Sequence, residues 1–210
     1  MSKSDKQSNT EEDILKSLKK ELEIVKKQLE LLQEENKKLK ELSIRDELTG
    51  LYNWRYFHDR LEQEVARNKR QNHPMCLLFL DVDGLKVYND TYGHSGGNDV
   101  LKTIAQSINQ SIRNEVDSAY RFGGDEFAII LPEVQSDQVV SIANRIVEKL
   151  SNTIYYDVKL SFGIAELTMD MDSEMLLKCA DNAMYIAKRD SVSKIKCGNL
   201  NFSTNSDSCN

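Results

Sequence analysis

The sequence predicts an α/β sandwich with a mixed sheet, preceded by a long helix suited to a coiled coil. Three observations carry this. Strand-like and helix-like segments alternate through most of the chain, one strand is apolar on both faces, and an apolar heptad runs through the N-terminal part. The 210 residues allow one globular domain and an appendage.

Residues 1–10 are polar and expected to be disordered. Over residues 11–44 the spacing alternates between three and four. It puts Leu15, Leu22, Leu29 and Asn36 at heptad position a, and Leu18, Val25, Leu32 and Leu39 at d. In that register Glu21 faces Lys26 of a partner helix and Glu35 faces Lys40. A single Asn in the seam favours a parallel, in-register pair. The alternative is one amphipathic helix lying on its own domain. The narrow seam and charged flanks suit a two-helix coil better.

The globular domain is expected over 45–197. A helix runs from about Trp54 to Arg70 with Asn53 as N-cap, and His73-Pro74 ends it. Met75 to Leu80 is a continuous apolar run of strand length, which predicts a strand covered on both faces. A helix over about Gly97 to Arg113 puts Val100, Leu101, Ile104, Ala105 and Ile108 on one face. Strands near Ser118–Phe122 and Glu126–Leu131 flank Gly123-Gly124 as a hairpin turn. A helix over about Asp137–Leu150, a strand over about Val158–Ala165 and a helix over Ser173–Arg189 complete the domain. Residues 198–210 are rich in Asn and Ser and are expected to be a disordered tail.

The net charge of -6 argues against a general nucleic-acid binder, which carries a basic surface. No apolar run approaches the roughly 18 residues of a membrane span. Met1 to Thr10 lacks the apolar centre of a signal peptide. Cys76, Cys179, Cys197 and Cys209 form no CxxC pair, as expected of reduced thiols. The expectation is a cytoplasmic protein without nucleic-acid or membrane partners.

Two segments carry chemistry. Asp81-Val82-Asp83 ends the buried strand, and residues two apart project to one face, so both carboxylates leave on the side opposite Val82. Acids there are costly unless a positive group meets them, and such oxygen ligands suit Mg²⁺. The second segment is Gly123-Gly124-Asp125-Glu126-Phe127, whose glycines allow close approach of backbone to a ligand. An ordinary acidic hairpin would look similar. If its strand neighbours that of Asp81, then Asp81 and Asp125 can hold two metals between them, the arrangement for phosphoryl displacement.

This second segment, preceded by Tyr120-Arg121-Phe122, resembles the signature of GGDEF-domain diguanylate cyclases. The likeness extends to Asp46-Glu47-Leu48-Thr49-Gly50-Leu51-Tyr52-Asn53, to Asp81-Val82-Asp83 with Lys86, Asn89-Asp90 and Gly93-His94, to Ser161-Phe162-Gly163-Ile164-Ala165, and to Ala180-Asp181 with Tyr185-Ile186-Ala187-Lys188. It covers about residues 43–190.

The resemblance implies a fold like the palm of nucleotidyl cyclases, α/β with a mixed sheet flanked by helices. It implies Asp81, Asp125 and the Val82 carbonyl as ligands of two Mg²⁺ or Mn²⁺ ions. Gly84, Leu85, Lys86 and Lys188 would meet the triphosphate. Asn89 and Asn98 would meet the base, and Asp125, Glu126 and Arg121 would serve the chemistry, Arg121 by steadying phosphate charge. The implied reaction joins two GTP into cyclic di-GMP with loss of pyrophosphate, in a homodimer that brings two domains together through the coil.

Three departures from the family pattern modify these expectations. Asn98 stands where the family has a guanine-reading Asp; an amide offers one acceptor and one donor. This raises ATP as an alternative substrate and a mixed GMP–AMP product. A second alternative is an inactive nucleotide-binding adaptor, although the signature acids are kept. The product-binding RxxD is here Asn114-Glu115-Val116-Asp117, and Arg113, one residue early, is expected to point elsewhere, so product inhibition should be weak. After Lys188 the family's Gly-Arg-Asn is missing, and that phosphate contact is lost unless Lys194 substitutes.

Overall fold

The computed structural model describes residue 16 and residues 18–35, 44–151 and 158–198. The chain divides into two units, residues 1–43 and 44–210. In the first unit residues 18–35 are helical (α1). The seam residues Leu18, Leu22, Val25, Leu29 and Leu32 are all more than half exposed, as is the off-seam Leu31, and Ile24 is half exposed. Leu15, Asn36, Leu39 and Lys40 of the expected heptad lie outside the described residues.

The second unit is a six-stranded mixed sheet of order β1-β3-β4-β2-β5-β6. Its elements are β1 (Tyr52–Asn53), α2 (Trp54–Gln71), β2 (Met75–Asp83), α3 (Leu85–Asn109), β3 (Ser118–Gly123), β4 (Glu126–Pro132), α4 (Ser136–Ser151), β5 (Lys159–Glu166), α5 (Ser173–Arg189) and β6 (Ile195–Gly198). β2 lies antiparallel between β4 and β5, while β1 and β6 add parallel to β3 and β5.

The apolar run of β2 is explained by its central place. Cys76, Leu78, Leu80 and Val82 join the core beneath α3 and α4, while Met75, Leu77 and Phe79 join the core beneath α2 and α5. The alternation continues past Val82, so Asp81 follows Phe79 onto the α2/α5 face. On that face α5 lies directly on β5. A Cβ at Gly163 would stand 2.0 Å from the Ala180 carbonyl oxygen and 2.2 Å from the Met184 nitrogen. Only glycine permits this approach, and Lys188 follows one helical turn beyond Met184.

The expected elements are present, with four differences. Helix α3 begins at Leu85, not near Gly97, and Gly93 (φ 78°, ψ 163°) breaks it in the middle. Its other end is Asn109, short of Arg113, so the segment carrying Arg113 is not helical. The hairpin turn is Gly124-Asp125, because Gly123 is still paired in β3 after a register shift. β1 and β6 are additional edge strands, and β6 takes in Gly198, which was expected to open the tail. The Asn53 cap is as expected: its side chain accepts from the Tyr56 N–H at 3.1 Å.

Candidate active site

The site forms where β2 ends between its two neighbours. In the antiparallel registers Asp81 sits opposite Glu126 of β4 and opposite Ser161 of β5. Directly opposed residues share a face, so the Asp81 and Glu126 carboxylates are brought together. The Val82 N–H donates to the Asp125 carbonyl at 3.1 Å and ties the turn to the end of β2. The adjacency of the two acidic segments, conditional in the sequence, is therefore a property of the sheet.

Lys188 Nζ donates to Asp81 Oδ1 at 2.7 Å, with the Asp81 side chain only 7% exposed. Burial pushes the Asp81 carboxyl above its ordinary range; Lys188 opposes this, and the nearby Asp125 and Asp83 add to it. Glu126 is pushed up for the same reasons, burial first, then Asp81, Asp125 and Asp181. The hydrogen bond to Asp81 in turn raises Lys188. The carboxylates of Asp81, Asp83, Asp125 and Glu126 outnumber the lysines beside them, a local excess of negative charge that a divalent cation would balance. Among the described residues no group of three or more His, Cys, Asp or Glu side chains forms a metal cage. The Asp81 and Asp125 carboxylates, without a full cage, fit Mg²⁺, which takes one or two carboxylates plus phosphate and water.

Asp83 accepts from Ser161 Oγ at 2.6 Å and pairs with Lys194 Nζ at 3.3 Å. Lys194 also donates to the Lys188 carbonyl at 3.0 Å. Lys194 is thus held at the edge of the site, against the chain that carries Lys188.

Gly84 (φ 84°) turns the chain from β2 into α3, with Leu85 buried and Lys86 exposed in the first turn. One turn on, Asn89 Oδ1 is buried with no hydrogen-bond partner among the described residues. The second half of α3 passes so close that a Cβ at Gly97 would fall 1.8 Å from this oxygen. Asn98 is exposed next to that contact, and the neighbouring Asp99 faces Lys102 at 3.4 Å.

Arg121 lies beside the hairpin turn, engaged with the protein's own groups. Its guanidinium donates to the Gly124 carbonyl at 2.7 Å and to the Asp46 carboxylate at 3.2 Å. Asp46 also accepts from the Thr49 N–H and hydroxyl, so it joins the opening motif to the hairpin. The sequence marked Asp46 as part of a motif without showing this brace. One expectation is corrected: Arg113 does not point elsewhere. It pairs with the fully buried Asp117 side chain at 2.6 Å, its own N–H donates to that carboxylate, and it donates to the Pro132 carbonyl at 2.7 Å. The helix it was expected to continue has already ended, and the free loop folds back on Asp117.

With this geometry in view, the comparisons are specific. Residues 43–194 match the family described as Diguanylate cyclase, GGDEF domain. The chain is 35% identical over 151 residues to diguanylate cyclase DosC of Escherichia coli, an alignment covering 69% of this chain and 33% of DosC. Among solved structures it resembles the coiled coil and GGDEF domain of DgcB from Caulobacter crescentus in complex with c-di-GMP. That likeness has a TM-score of 0.77 and 26% identity, and covers 87% of this chain and 100% of the other. Diguanylate cyclase SiaD from Pseudomonas aeruginosa, in complex with its activator SiaC, gives a TM-score of 0.73 at 32% identity, covering 91% and 75%. The chain belongs to the GGDEF-domain diguanylate cyclase family. It spans about a third of the length of DosC.

Proposed function

We propose that this chain is a diguanylate cyclase that condenses two GTP molecules into cyclic di-GMP, working in the cytosol as a homodimer. The observation that carries the reading is the joining of Asp81, Asp125, Glu126 and Lys188 at one end of the sheet. Asp81, Asp125 and the Val82 carbonyl would hold two Mg²⁺ ions. When bound, these ions offset charge on the reacting oxygens and on the leaving pyrophosphate.

The protein's own groups do the rest. Backbone N–H groups at the start of α3, with Lys86 and Lys188, receive the triphosphate, since a helix N-terminus favours anions. Asn89 presents its unpaired acceptor to a base N–H, and Asn98 lies beside it. Glu126, opposite Asp81 across the sheet, is the carboxylate placed to take the proton of the attacking hydroxyl. In each half-reaction a 3′-oxygen bonds to the α-phosphorus of the other nucleotide, the bond to the β-phosphate oxygen breaks, and pyrophosphate departs. Arg121 keeps the turn carrying Asp125 in place.

Each domain supplies one GTP, so two must meet. The exposed seam of α1 supports a parallel coil, which raises the local concentration of one domain about the other. Sedimentation should show a dimer that Leu22→Lys with Leu29→Lys dissociates; an unchanged dimer would remove the coil from the account.

The activity is tested by following pyrophosphate release from GTP with Mg²⁺. Wild type should release it, and both Asp125→Asn and removal of metal by chelation should abolish it. Release that survives Asp125→Asn would overturn the assignment of the site. GTP binding without release would favour a nucleotide-binding adaptor.

A further inference from the structure

Beside the candidate active site, between α2 and α5, lies a cavity of about 430 Å³. Its volume falls in the range of small-molecule sites. The floor is apolar: Leu61, Phe79, Phe122 and Leu177 line it, and Phe79 meets Phe122 edge to face with ring centroids 5.0 Å apart. The His58 ring lies tilted against Phe122, centroids 5.8 Å apart, and extends the aromatic wall. The rim has the opposite character. Glu62, Glu126, Glu174 and Asp181 bring four carboxylates, and Lys178 is the one lysine or arginine that lines the cavity.

We propose that this cavity is a binding site for an organic cation, a protonated amine carried on an aromatic or aliphatic body. The body would lie on Phe79, Phe122 and Leu177, and the ammonium would sit among the carboxylates. Aromatic faces attract cations as well as apolar surface, so floor and rim select the same class of ligand. A nucleotide is the wrong occupant, since its phosphates would meet these acids. Glu126 lines the cavity and is the first residue of β4, the strand that follows the candidate catalytic turn. An occupant there would therefore touch the machinery of the proposed cyclase from outside the nucleotide pocket.

The test is an amide NMR titration of the full chain with phenylbutylamine and with phenylbutanol, its neutral isostere. No nucleotide or metal is present, so failure here leaves the cyclase reading untouched. The amine should bind saturably, moving resonances of residues around Leu177 and Phe122, and the alcohol should bind about tenfold more weakly. Glu174→Gln with Asp181→Asn should weaken the amine by about the same factor, and Leu177→Trp should block it by filling the cavity. Neither acid packs in the core, so the charge variant serves even where the Trp variant fails to fold. Equal affinity for amine and alcohol, shifts centred elsewhere, unchanged affinity in the charge variant, or no saturable binding would each overturn the proposal.

Discussion

Lys188 Nζ lies 2.7 Å from Asp81 Oδ1, joining the last helix to the end of the central strand across 107 positions of sequence. The contact exists because Gly163 lets α5 settle on β5. Lys188→Met should destabilise the metal-free protein by about 1 kcal/mol, a charge-assisted bond discounted for a half-exposed ammonium. It should also lower kcat/KM for GTP by roughly tenfold or more. Urea unfolding with and without Mg²⁺ checks the first part. The stability loss should shrink when the cation is present, and a loss unaffected by Mg²⁺ would argue against a shared charge.

The raised Asp81 and Glu126 carboxyls set a pH dependence. A group that holds its proton more tightly folded than unfolded favours the native state at low pH. Its contribution is lost as pH rises from the unfolded pKa through the folded one. Metal-free protein should therefore lose part of its stability as pH climbs through and just above the carboxylate range. Glu126→Gln should flatten that slope and raise the melting midpoint at neutral pH. Thermal melts across pH check this, and an unchanged slope would count against the crowded-carboxylate account.

Gly97 leaves room for Asn89. Gly97→Ala would put a methyl 1.8 Å from Asn89 Oδ1 and force that side chain aside. The expected outcome is an increase of about tenfold in KM for GTP with kcat nearly unchanged, matching Asn89→Ala. Steady-state kinetics on both variants decide it. A fall in kcat alone would mean that Asn89 does not serve ground-state binding.

Arg113→Ala would strand the buried Asp117 carboxylate. A loss of about 2–3 kcal/mol in urea unfolding is expected, since the remaining charge keeps one backbone N–H but loses its cation. Because Arg113 is committed to Asp117 and Pro132, added cyclic di-GMP should inhibit only weakly. Potent inhibition abolished by Asp117→Ala would contradict that reading.

Much of this was legible in the chain. β2 announced its central place by the unbroken apolar run from Met75 to Leu80, and α5 was readable from Ser173 to Arg189 through its apolar periodicity. The first half of α3 was not, because Lys86, Asn89, Asp90 and Thr91 are polar and Gly93 interrupts the repeat. β1 and β6 span two and four residues, and such strands exist only by pairing with β3 and β5. The acidic members of the site were visible as residues. The brace from Arg121 to Asp46, 75 positions apart, and the pairing of Lys194 with Asp83 depend on the sheet order, which local pattern does not encode. Arg113 was misplaced because a helix was extended four residues beyond its end at Asn109.

The central claim is tested most directly by mass identification of the products formed from an equal mixture of GTP and ATP with Mg²⁺. The account predicts cyclic di-GMP as the product, with ATP left unconsumed. A mixed GMP–AMP dinucleotide would place relaxed base selection at Asn98, and the absence of any cyclic dinucleotide would contradict the cyclase assignment itself.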